Sequence, residues 1–230
     1  LSILVLIYLR PYHRLTGLFS ETCYNKIIIK QVEDNMSVKI NPIRLYGNWD
    51  LGFALDIHVI TSVPLGEDAY GHPHFDNTRS PIGELLYQFK YNQRYNNLPQ
   101  IVETIVSFLS THPEMKNVET ILPVPPTKVR GYQPTLEIAR ALAERLHIFY
   151  CSDVLVNTSH IEAKSLPIDE KYKLFGTIRK TRMATHKHST LLIDDLYQTG
   201  ATLQQCTAAL REDPLIDKIY VLTITKTKNQ

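Results

Sequence analysis

The sequence predicts an α/β protein: a mostly parallel sheet with flanking helices, preceded by a small N-terminal β-hairpin element. Three observations predict it. Strand and helix patterns alternate from about residue 118 to the C-terminus, which requires crossover connections and parallel strands. A buried run ends on two adjacent carboxylates and passes through a glycine loop into a helix, LLIDDLYQTGATL at residues 191–203. The chain has 230 residues, 43% of them hydrophobic, enough for one α/β core but not for two independent domains.

Taken in order, residues 36–79 read as a hairpin and a loop. A Gly-Asn-Trp-Asp turn separates two runs rich in β-formers in INPIRLYGNWDLGFALDIHVITS. The following PLGEDAYGHPHFDNTRSP is dense in turn residues and predicts an irregular loop. From residue 80 onward the α/β domain begins. Pro81 suits a first helical position, and Ile82, Leu85, Leu86 and Phe89 share one helical face. A second helix follows Leu98, with Ile101, Val102, Ile105, Val106 and Leu109 inward. VETILPV is a buried strand closed by Pro125 and Pro126. PTLEIARALAERL is a helix with Leu136, Ala139, Leu142, Ala143 and Leu146 inward. CSDVLVN and STLLIDD are strands, TLQQCTAALRE a helix and DKIYVLTIT the last strand. Cys206 shares a helical face with Leu203 and Leu210 and belongs to the core.

Residues 1–35 are expected to be a leader or a mis-assigned start. The first methionine is Met36, and the Val-Glu-Asp before it can be encoded by a purine-rich ribosome-binding sequence. The apolar opening LSILVLIYLR is too short to span a bilayer, so no membrane partner is expected. A formal charge of +2, spread along the chain, gives nucleic-acid binding no support. Three scattered cysteines without CxxC spacing suit a cytoplasmic protein.

In an open parallel sheet, ligands sit beyond the carboxyl ends of the strands. Asp194 and Asp195 lie at such an end. Gln198, Thr199, Gly200, Ala201 and Thr202 then lead into a helix start, where unpaired N–H groups favour an anion. The spacing therefore describes a phosphate cradle with two carboxylates nearby. Carboxylates repel phosphate, so they must meet another part of the same ligand, and the vicinal hydroxyls of a ribose answer that need. A ribose 5-phosphate unit satisfies both halves. No Walker-type loop and no dinucleotide fingerprint competes. His72-Pro-His74 and His186-Lys-His188 lack carboxylate or cysteine partners for a metal site. Asp56 and His58 share a strand face, where a structural hydrogen bond is the default.

LLIDDLYQTGATL resembles the phosphoribosyl-diphosphate (PRPP) binding motif of the phosphoribosyltransferases. ELLYQFKYNQRYNNLPQIV and ILPVPPTKVRGYQPTLEIARALAERL resemble the ComF-like branch of that superfamily, and the resemblance runs over roughly residues 80–228. The four-cysteine zinc module common in that branch is missing. RGYQP shortens its Arg-Gly-aromatic loop, and EKYKLFGTIRK departs from its flap segment.

The resemblance implies a PRPP-dependent phosphoribosyltransferase of nucleotide metabolism, with PRPP and a nucleobase or amine acceptor as its partners. Mg²⁺ is the implied cofactor, held mainly through PRPP, with Asp194 or Asp195 as the protein contact. Asp194 and Asp195 would act on the ribose as catalytic residues, and residues 198–202 would hold the 5-phosphate. Lys128, Arg130 and Gly131, on the loop after Val124, would hold diphosphate. Lys90 and Tyr91 are weaker site candidates, for which a solvated helix end is the plain reading. Lys164, Lys171 and Arg179 belong to the flap, where a solvated basic loop is the plain reading. A homodimer is a further expectation. The competing function is a non-catalytic PRPP- or nucleotide-binding module of ComF type, serving DNA uptake or regulation.

Overall fold

The structure is a computed structural model; it describes residues 36–68, 70–126, 131–158 and 177–228. Residues 37–230 form one compact unit. Its centre is a six-stranded sheet built from β1 (Ile43–Arg44), β2 (Leu51–Ile57), β5 (Val118–Pro123), β6 (Phe149–Tyr150), β9 (His188–Tyr197) and β10 (Ile216–Lys226). The order is β1-β2-β10-β9-β5-β6. Every neighbouring pair is parallel except the antiparallel β1–β2 edge. The fold class is thus the one the alternation of patterns predicts.

Among the described residues, four α-helices cover the sheet, and three of them carry in their first turn the proline that the sequence marks. Helix α1 (Pro81–Tyr91) is capped by Ser80, whose Oγ accepts from the Gly83 N–H at 3.1 Å and donates to the Ile57 carbonyl at 2.6 Å. That bond ties the helix start to the end of β2. Helices α2 (Leu98–Ser110) and α3 (Pro134–Leu146) also begin with proline in the first turn. Together α1, α2 and α3 bury Phe89, Ile105 and Leu142 against Leu191, Ile193, Leu222 and Ile224 of the sheet. On the opposite face α4 (Ala201–Arg211) buries Leu203, Cys206 and Leu210 against Leu192, Val221 and Leu122. A short antiparallel pair, β7 (Leu155–Asn157) with β8 (Ile178–Lys180), completes that side.

Two sequence expectations for the N-terminal region are corrected. The hairpin across residues 47–50 exists, but its second strand, β2, runs parallel to β10 inside the main sheet. Leu51, Ala54, Leu55 and Asp56 are buried there, the near-continuous burial of a strand covered on both faces. A boundary between residues 79 and 80 therefore cuts through one sheet. The segment expected as loop instead forms a two-stranded antiparallel hairpin, β3 (Val59–Glu67) with β4 (Pro73–Arg79). Its prolines are accommodated at the first residue of β4 and beside a register shift between Pro64 and Gly66. Residues 1–35 lie outside the described residues. Among the described residues, no helix is long and apolar enough to cross a membrane.

Candidate ribosyl phosphate site

Parallel pairing brings the carboxyl ends of β2, β10, β9 and β5 to one edge of the sheet. The registers place Asp194 beside Thr223 of β10, and Ile193 beside Pro123 of β5. The paired carboxylates thus sit at the carboxyl edge of the sheet, on the strand between β10 and β5.

Alternation along β9 settles how two adjacent aspartates coexist. Leu191 and Ile193 face α1–α3, Leu192 faces α4, and the carboxylates follow the same rule. Asp195 points to the α1 side, where Lys90 Nζ donates to its Oδ2 at 2.7 Å. The two side chains are only 10% and 18% exposed, so this pair is largely desolvated. Asp194 points to the α4 side. Its Oδ1 accepts the Asp195 backbone N–H at 2.8 Å. Burial, and after it the Asp194 charge, pushes the Cys206 thiol far above its ordinary range. Cys206 is therefore an inert core thiol, as its helical position implies.

Beyond Asp195 the chain turns into α4 through Gly200, which caps the helix at φ 76°, ψ 0° with no side-chain cap bond. A Cβ at Gly200 would lie 2.8 Å from the Tyr197 ring and its hydroxyl. Glycine is required here twice, by the left-handed turn and by that ring. The first turn of α4 begins at Ala201 and Thr202 and has no side-chain cap for its N–H groups, and Thr199 before it is exposed, with Gln198 partly so.

The other predicted residues divide. Lys90, a weaker candidate, reaches Asp195 and is not the solvated helix lysine of the plain reading. Tyr91 is 55% exposed, with its ring centre 5.7 Å from Lys90 Nζ. Gly131 is exposed, with open space around its Cβ position and no left-handed φ. Lys128, Arg130, Lys164 and Lys171 lie outside the described residues, and Arg179 is exposed on β8. Tyr132, from the shortened Arg-Gly-Tyr loop, packs with its ring centre 4.4 Å from that of Tyr95, tilted by 47°, and 5.6 Å from that of Phe89, edge-on. Burial, then the charge of Glu137, raises its hydroxyl pKa to about 12.

Sequence reasoning missed two neighbours. Thr225 Oγ1 donates to the Asp195 carbonyl at 3.3 Å and meets His58 Nδ1 at 3.2 Å. Lys226, paired in register with Tyr197, places its Nζ 6.0 Å from that ring. Their position at the carboxyl end of the last strand was the available signal.

Two histidine readings are also settled. Asp56 accepts from Asn41 N–H, Asn41 Nδ2 and Ile57 N–H, a structural role. His72 Nδ1 and His74 Nε2 do have a carboxylate partner, Asp68 Oδ2, at 3.3 and 3.6 Å. Even so, no group of three or more His, Cys, Asp or Glu among the described residues could hold a metal ion. At the carboxylate pair, Lys90 engages Asp195 Oδ2 and the Asp195 backbone N–H engages Asp194 Oδ1.

No protein-family model matches the chain, and no curated protein does. Solved structures resemble it at low identity. A hypoxanthine phosphoribosyltransferase from Staphylococcus aureus is 14% identical over 55% of this chain and 61% of its own length, with a TM-score of 0.36. An adenine phosphoribosyltransferase from Thermoanaerobacter pseudethanolicus is 13% identical over 73% of this chain and 95% of its own, with a TM-score of 0.39. UMP synthase from Leishmania donovani is 15% identical, and the match covers 67% of this chain and 25% of that one, with a TM-score of 0.34. Likenesses of this size say nothing about substrate or activity.

Proposed function

We propose that the chain binds a ribosyl 5-phosphate at the carboxyl edge of its sheet and is a phosphoribosyltransferase, with PRPP as donor and a nucleobase or amine as acceptor. The observation that carries this reading is the sequence of parts along one strand–helix junction. Two carboxylates at the end of β9 are followed by a left-handed Gly200 turn and an α4 start with no side-chain cap. Backbone N–H groups and the helix dipole suit the phosphate, and carboxylate oxygens suit ribose hydroxyls. In the reaction, the bond from the anomeric carbon to diphosphate breaks as the bond to the acceptor nitrogen forms, and the acceptor's proton passes to solvent. The chain's part is to hold the ribose and its phosphate in line and to meet charge as it develops. Mg²⁺ would arrive as the diphosphate complex and steady the leaving group.

Diphosphate release from PRPP with Mg²⁺ and a panel of bases and amines tests the transferase. Calorimetric binding of ribose 5-phosphate tests the site beneath it. Asp194→Asn keeps the Asp195–Lys90 pair and removes one charged acceptor, so binding should weaken by about 10- to 100-fold. Unchanged affinity would remove Asp194 from the site. Binding without diphosphate release for any acceptor would leave a binding module.

A further inference from the structure

The Lys90–Asp195 pair is unusual in where it stands. Lys90 lies in the last turn of α1, and 105 residues separate it from Asp195 at the end of a central strand. A lysine at a helix C-terminus ordinarily reaches water and contributes little. Here its ammonium leaves solvent to meet one of two adjacent carboxylates at 2.7 Å. Taking both charges out of water costs several kcal/mol per ion before their attraction repays it, so such a pair is weak evidence of a stability device.

Its electrostatic effect on a ligand is direct. Unpaired, Asp194 and Asp195 would present two negative charges to a ligand whose phosphate already carries nearly two. Such a pocket needs a cation. Lys90 supplies one from the chain itself, and it leaves Asp195 able to accept, since a carboxylate offers about four lone-pair sites on two oxygens. Thr225, donating to the Asp195 carbonyl, fixes the backbone of the same residue.

We propose that Lys90 is the built-in counter-cation of the site: paired with Asp195, it takes the place a protein-bound divalent metal would hold, so that a ribosyl 5-phosphate monoester binds without metal. The proposal rests on the phosphoribosyl reading of the site and adds to it a positioning residue and a metal requirement confined to the diphosphate half of PRPP. Lys90 acts through Asp195, and the readout that separates this from a packing role is Mg²⁺ dependence.

The experiment is calorimetric titration of the full chain with ribose 5-phosphate, in EDTA and in millimolar Mg²⁺. Wild type should bind with affinities that agree within about threefold in the two buffers. Lys90→Met should lose about tenfold or more in EDTA and recover part of the loss in Mg²⁺, while Lys90→Arg should follow wild type. Wild-type binding that requires Mg²⁺, or Lys90→Met binding as wild type does in EDTA, overturns the proposal and leaves the phosphoribosyl reading standing. No binding of ribose 5-phosphate in either buffer ends both. Should Lys90→Met fail to fold, Lys90→Met with Asp195→Asn leaves neither charge alone. That variant should bind about tenfold or more weakly with no response to Mg²⁺, and wild-type affinity in it would overturn the proposal.

Discussion

Gly200 shows how one residue can answer two demands. The sequence offered a ligand-side reason for glycine, close approach of an anion to the backbone. The structure adds a protein-side reason, the φ of 76° and the Tyr197 ring 2.8 Å from where a Cβ would stand. Gly200→Ala should therefore cost about 1–2 kcal/mol of stability with no ligand present, from the left-handed strain alone. Thr199→Ala, at an exposed position, should stay within about 0.5 kcal/mol of wild type. Urea unfolding of both variants measures this, and equal stabilities would mean the turn relaxes freely. Lys90 gives the opposite lesson. Nothing local distinguishes it from a solvated lysine one step off the Phe89 face, because its partner lies on a strand 105 residues away. Short-range patterns locate the Gly200 turn, and only the sheet topology locates the lysine that meets Asp195.

At the level of elements, the helices were legible from their apolar spacing, joined by a starting proline in α1, α2 and α3 and a capping serine in α1. The β3–β4 hairpin was not, because its strands carry Gly, Pro, Asn and Asp and bury almost nothing. Every residue of β3 after Val59 is exposed, including Ile60, Val63 and Leu65. Without a buried face, no alternation is imposed on the sequence. The β7–β8 pair was half legible, and a buried charge holds it in place. Asp213, after α4, receives Lys180 of β8 together with the N–H groups of Ala184 at 2.7 Å and Leu215 at 3.0 Å. Burial alone would raise its pKa, but the Ala184 N–H, the Lys180 ammonium and the Leu215 N–H outweigh it and hold it at about 2. The folded value lies below the ordinary 3.8, so this contribution is complete above about pH 4 and fades as pH falls toward 2. Asp213→Asn, which leaves the buried Lys180 without its counter-charge, should cost on the order of 3 kcal/mol at neutral pH. The variant should also show a shallower loss of stability between pH 4 and pH 2. Parallel pH profiles for wild type and variant would show that Asp213 does not carry that acid limb.

For the whole molecule, the decisive strand is the one the sequence assigned to a separate element. LGFALDI follows a convincing turn and pairs with β1, so local pattern reads it as half of a hairpin. Its parallel pairing with β10 joins residues more than 160 positions apart, and no spacing within the segment reveals it. The burial of the strand agrees with that pairing, since a hairpin strand with one wet face would not hide Leu51, Ala54, Leu55 and Asp56 together. This has a sharp consequence for where the folding unit begins. A chain starting at residue 80 retains the whole region that resembles the ComF-like branch, including both aspartates and the Gly200 turn. It loses Leu45, Leu51 and Leu55, each no more than 8% exposed, and Trp49 at 7%. Burial of the three leucines alone is worth roughly 5–9 kcal/mol, comparable to the ~5–15 kcal/mol that holds a typical domain together. It also strips the edge of β10 and removes the Ile57 carbonyl that anchors the cap of α1. Residues 80–230 should therefore lack a cooperative urea transition and near-ultraviolet dichroism, whereas residues 37–230 should show both and bind ribose 5-phosphate as the full chain does. A folded, ligand-binding 80–230 fragment would show that β2 is an accessory of the sheet and that the boundary read from the sequence is the true one.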